Sequence, residues 1–110
     1  MLNTHEEAEI LLDQALAKAE QAAQQCYEKY GEPNTLGSTS ISIYPARGKL
    51  VTVLKRRKLG ATLSGHGFII SAYDLHSINT QSVDIHESAA DAFCECLSKH
   101  GIRAYRNFLL

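Results

Sequence analysis

The spacing of apolar residues divides the chain into a helical start, a strand-rich middle and a helical close. From Thr4 to Tyr30, residues Leu11, Leu12, Ala15, Leu16, Ala19, Ala22, Ala23, Cys26, Tyr27 and Tyr30 recur at the three- and four-residue spacing of a helix face. Thr4 and Glu7 have the spacing of a capping box, and Glu6, Glu7 and Glu9 fall where the helix dipole favours negative charge. Gly31 and Pro33 end the helix. At ~1.5 Å per residue it is about 40 Å long, whereas a typical strand spans only ~17–20 Å. The overhang is either solvated or covered by a second copy of the chain. Leu12, Ala15, Leu16, Ala19 and Ala23, on an Ala-rich stripe that permits close approach, are the candidate interface of a homodimer.

Beyond a linker at 32–38, Thr39–Tyr44 alternates with a period of two, as a half-buried strand does. Pro45–Gly48 has the chemistry of a turn. Lys49–Lys55, rich in β-branched residues, reads as the returning strand of a hairpin. Phe68–Tyr73 is a third strand, and Ser82–His86 alternates as a fourth, with Val83 and Ile85 inward and Ser82, Asp84 and His86 outward. Residues 56–67 are either a tight basic turn at Arg57–Gly60, which is preferred, or an extended loop ending in Ser64-Gly65-His66-Gly67. Ser88 and Asp91 cap a helix over 88–100 with an apolar face of Ala89, Ala90, Phe93, Cys96 and Leu97. Gly101 stops it, and 102–108 is a final strand. The expectation is a single α+β domain over 1–110. It has an antiparallel β-meander over 39–86, three to five strands in all with the final strand at 102–108, and a long N-terminal helix over 4–30 and a second, C-terminal helix over 88–100 packed on one face.

Composition narrows the class without naming a job. With 110 residues, 45% hydrophobic and 21% charged, the chain has the make-up of one globular domain. Cys26, Cys94 and Cys96 are odd in number and lack a C-x-x-C frame, which points away from a secreted disulfide scaffold and toward a reducing compartment. No basic start precedes an apolar leader, and no run approaches the ~18 apolar residues of a membrane span. A cytoplasmic protein without a membrane segment is expected, read from Met1 to Leu110 as a short complete gene product.

Charge changes the picture more. Residues 1–34 carry seven acids against Lys18 and Lys29, and residues 73–110 carry five acids against three bases. Residues 35–72 carry no acid and six bases: Arg47, Lys49, Lys55, Arg56, Arg57 and Lys58. Like charges this dense repel one another and favour solvent or a polyanion. As a cationic hairpin they would suit a nucleic acid or an acidic protein surface. They also suit a charged edge that blocks aggregation, or a contact with the acidic first helix. Stacking aromatics would favour nucleic acid, and Tyr44, Phe68 and Tyr73 are the nearest.

Catalytic patterns are weak by comparison. His66, His76 and His86 fall ten apart, which matches no metal frame, and Cys96 with His100 supplies only two ligands on one helix face where zinc needs three or four. No metal or cofactor is expected. The reading is a small non-catalytic binding or adaptor module, a homodimer engaging an anionic partner through the six bases. One alternative is an accessory protein of a mobile element or phage that inhibits a nucleic-acid-handling complex by protein contact. Another is a small enzyme at a dimer interface, gathering His66, His86, Asp84 or Cys94.

Overall fold

A computed structural model describes residues 3–31, 37, 39–63, 65–80 and 82–108. Of the expected linker only Gly37 falls within them, and Ser64 of the glycine-rich loop lies outside. The first helix, α1, runs His5–Tyr30. Thr4 caps it: its hydroxyl oxygen accepts the Glu7 amide at 3.0 Å. At the other end Gly31, at φ 68°, turns its own amide back to the Tyr27 carbonyl. Strand β1 follows at Thr39–Tyr44, then helix α2 at Lys49–Arg56, strands β2 at Ala61–Leu63 and β3 at Gly67–Ser71, helix α3 at Val83–Lys99 and strand β4 at Arg103–Phe108. The strands form one antiparallel sheet in the order β2-β3-β1-β4. The α+β class, the antiparallel sheet and the long N-terminal helix are as the pattern predicts. The connections are not those of a meander. β3 lies between β1 and β2, and β1 lies between β3 and β4, which gives two interlocked split β-α-β units, the ferredoxin-like connectivity.

The largest departure is at Lys49–Lys55, which is helix α2 and not a strand, so the basic hairpin does not exist. As a strand, Leu50, Thr52 and Leu54 would face one side and Val51 and Val53 the other, leaving two apolar faces to cover. As a helix, Leu50, Val51, Val53 and Leu54 all reach one core. The Thr52 hydroxyl meanwhile donates back to the Gly48 carbonyl at 2.9 Å. Residues 56–67 then hold the end of α2, a left-handed Lys58 at φ 58°, and the short edge strand β2, which pairs with β3. Ser82–His86 is likewise not a strand. Ile85, Ala89, Phe93 and Leu97 carry the helical spacing back past Ser88, so α3 starts at Val83. Ser82 and His86 are buried, against the expected outward orientation. The third strand ends at Ser71, whose hydroxyl oxygen accepts the Tyr73 amide and starts a 3₁₀ turn at Ala72–Asp74.

The sheet has two unlike faces. Ile41, Ile43, Phe68, Ile70 and Ala104 share one and join the helices in a single core. On the same face Arg106 reaches α3 and binds Glu87 and, at 2.7 Å, Asp91. Helix α1 lies along α3 and also reaches α2. Leu12, Ala15, Ala19 and Ala23 are therefore buried within the chain, with Leu16 packed against the same core. The stripe expected to form a homodimer interface is covered by the chain's own helices, because alanine spacing lets α1 and α3 approach closely. The other sheet face carries Ser40, Ser42, Tyr44, Ile69, Arg103, Tyr105 and Asn107. Among the described residues no helix is long and apolar enough to cross a membrane.

Candidate anion-binding groove

Tyr44, the last residue of β1, pairs with Arg103, the first of β4. Two connections therefore meet at this end of the sheet: Pro45–Gly48, which leads into α2, and His100–Ile102, which leads out of α3. The second is a Schellman turn. The Gly101 amide donates to the Ser98 carbonyl at 3.0 Å and the Ile102 amide to Leu97 at 3.1 Å, with Gly101 at φ 78°. This closure folds the chain back so that Lys99 and Arg103 face the start of α2. Between the connections lies a groove of about 690 Å³.

The groove is cationic. Arg47, Lys49, Lys99 and Arg103 line it together with His100, and no acid is among its lining residues. Lys99 also pairs with Glu95 at 3.2 Å, but both side chains are about 70% exposed and water screens the pair. Among the described residues Arg47, Lys49 and Arg103 make no ion pair. Gly48 offers α2 no capping side chain, and the first residues of the helix, Gly48 to Val51, form one wall. The unshared amides of a first helical turn add to the positive field there.

Two tyrosines adjoin the groove on the open sheet face. The ring of Tyr44 lies over Gly67 of β3, where an added Cβ would stand 3.0 Å from the ring and 2.5 Å from the Ile43 carbonyl oxygen. Tyr105 sits beside it, with ring centroids 6.2 Å apart and planes at 53°. Tyr105 is 51% exposed. A hydrogen bond with the Tyr105 side chain raises the Arg103 pKa above the ordinary guanidinium value. Further along the same face, Asn107 donates to the Ser42 hydroxyl at 2.8 Å and the Ser40 hydroxyl at 3.1 Å.

The six bases singled out in the sequence are thus separated. Arg47 and Lys49 belong to the groove. Lys55, Arg56 and Lys58 are exposed at the far end of α2, about 12 Å away along a helix of eight residues. There they complement the negative end of the helix dipole. Arg57 is held by α1, through Glu9 at 2.9 Å and Asp13 at 2.8 Å, and these hydrogen bonds raise its pKa. Sequence reasoning missed Lys99, Arg103 and Tyr105 as members of the site. The glycine stop at 101 was visible, but the β1–β4 pairing that makes it significant was not.

The candidate catalytic residues do not assemble into one cleft. His76 and His86 do meet. The Ile78 amide donates to His76 Nδ1 at 3.1 Å, His76 Nε2 donates to His86 Nδ1 at 2.9 Å, and His86 Nε2 donates to the Thr80 carbonyl at 3.1 Å. The direction of this relay is assigned from its partners and makes both rings neutral Nε2–H tautomers. Burial lowers both pKa values. Tyr73 packs on His86 with centroids 4.1 Å apart. His66 is exposed in the β2–β3 turn. Asp84 lines a separate acidic groove of about 600 Å³ with Glu87, Asp91 and Cys26. Burial pushes the Cys94 thiol up to about 12, so it stays protonated and unreactive at neutral pH. His100 bonds through Nδ1 to the Cys96 carbonyl at 3.0 Å, a backbone contact that leaves the thiol out. Among the described residues no group of three or more His, Cys, Asp or Glu is placed to hold a metal ion.

Comparison with known protein families, with characterised proteins and with solved structures finds no match in any of the three.

Proposed function

We propose that this chain is a non-catalytic binding module that takes a polyanionic partner in the groove between the β1–α2 and α3–β4 connections. The observation that carries the reading is the convergence of Arg47, Lys49, Lys99 and Arg103 on one groove with no acid in its lining. Arg47, Lys99 and Arg103 are exposed and Lys49 half-buried, so four like charges stand close together at the surface, where an anion relieves their mutual repulsion. Of the molecule's acids, Glu95 reaches the groove's Lys99 in a solvent-exposed pair, Glu9 and Asp13 are engaged by Arg57, and Asp84, Glu87 and Asp91 line the second groove. The odd cysteine count and the free thiols fit a cytoplasmic setting.

The test is a titration with heparin, a polyanion without bases, across a salt series. Binding should weaken as salt rises. The double substitution Arg47→Ala/Arg103→Ala should weaken it by about tenfold or more, while Lys55→Ala/Arg56→Ala/Lys58→Ala should have a smaller effect. Absence of binding at low salt, or a larger loss from the far-end triple variant, overturns the proposal.

A further inference from the structure

The groove opens onto a sheet face whose exposed features are aromatic, and this combination narrows the polyanion. We propose that the partner is a single-stranded nucleic acid, with its phosphates on Arg47, Lys49, Lys99 and Arg103 and its bases stacked on Tyr44 and Tyr105. The inference rests on the groove reading above and adds the chemical class of ligand.

Three observations support it. First, Tyr105 is 51% exposed on β4 and Tyr44 lies next to it at a centroid distance of 6.2 Å, so two ring faces stand side by side at the mouth of a cationic groove. Unpaired bases stack on such faces whatever their identity, whereas an acidic peptide has nothing that requires them. Second, the platform is held in place. The Tyr44 ring is seated on Gly67, where any side chain would collide with it, and beside Tyr105 on the same face Asn107 ties the Ser40 and Ser42 hydroxyls together. A stacking surface gains from such rigidity because less side-chain freedom is lost on binding. Third, the basic segment among the described residues is not shaped to enter a duplex groove. The cationic ribbon is absent, and α2 turns Leu50, Val51, Val53 and Leu54 into the core, so it cannot leave the body of the protein to read a major groove. In a duplex the bases are stacked on each other and unavailable to the tyrosines.

The experiment compares four probes at one low salt concentration: a mixed-sequence single strand, its duplex, an abasic strand of the same length, and a polyglutamate. The single strand should bind about tenfold or more tighter than the abasic strand, as one or two stacked bases imply, and should quench tyrosine emission, which no Trp obscures. Tyr105→Ala should bring single-strand affinity most of the way down to the abasic level, the remainder being the base on Tyr44. Tyr105→Phe, which keeps the ring, should restore it. Because Tyr105 is half exposed, its substitution leaves the core intact, and the thermal transition of each variant checks this. Equal affinity for single and abasic strands, equal or tighter binding of the duplex or of polyglutamate, or indifference to Tyr105→Ala overturns this inference while heparin binding still upholds the groove. Failure of every polyanion, heparin included, removes the groove reading as well.

Discussion

His86 brings two ring nitrogens into a fully buried position and finds a partner for each, His76 on one side and the Thr80 carbonyl on the other. Both rings must be neutral for the relay to hold. A proton added at His86 Nδ1 would face the His76 Nε2–H, and one added at His76 Nδ1 would face the Ile78 amide. Both folded pKa values lie below the ordinary 6.5, chiefly through burial, with Glu20 opposing the shift at His76. The unfolded chain therefore binds protons first as the solution is acidified. Stability should be full above about pH 6.5 and fall as pH drops below it. Urea midpoints measured on both sides of that value would check this, and a midpoint indifferent to pH would contradict the neutral relay. None of this could be read from the spacing of His76 and His86, since alternation placed His86 outward and only the helical register turned it in. Gly67 is the other residue on which local geometry depends. Its φ of 74° and the 2.5 Å separation between an added Cβ and the Ile43 carbonyl leave no room for a side chain. Gly67→Ala should cost ~2 kcal/mol or more in chemical denaturation.

At the level of elements, the amphipathic reading of α1 and of the main part of α3 was legible because long helices repeat their period several times. Segments of seven or eight residues do not. Leu50, Val51, Thr52, Val53 and Leu54 can be written as a strand with two apolar faces or as a helix with one, and their β-branched content favours the wrong choice. What decides is the surface offered by the rest of the chain: β1 already pairs with β3 and β4 on its two edges, so the hairpin with β1 that 49–55 would form is closed to it. The Ala stripe of α1 shows the same limit, since it marks close helix approach without saying whose helix approaches. Because α3 of the same chain fills that role, Ala19→Leu should destabilise the fold by ~1–3 kcal/mol through overpacking, read from denaturant unfolding. A change in oligomeric state without loss of stability would instead show that the stripe faces another copy.

Across the whole molecule, charge is sorted by tertiary structure more than by sequence blocks. The continuous basic stretch from 47 to 58 divides between a groove, an exposed helix end and the Arg57 clamp on α1, while Lys99 and Arg103 join the groove from the far end of the chain. If a single strand occupies the groove, its four cations should give a slope of about −3 for log affinity against log salt, and Arg103→Ala should make that slope shallower by roughly 0.7. A slope unchanged in the variant would place the phosphate contacts elsewhere. By itself the sequence determined the class of fold, the long capped helix, the first and last strands and the concentration of positive charge, because each depends on residues close together along the chain. The tertiary structure decided the identity of α2, the inward turn of His86, the partner of the Ala stripe and the membership of the groove. Each of these is a competition between surfaces distant in sequence, and its outcome is set by which apolar faces and strand edges remain uncovered once the rest has packed.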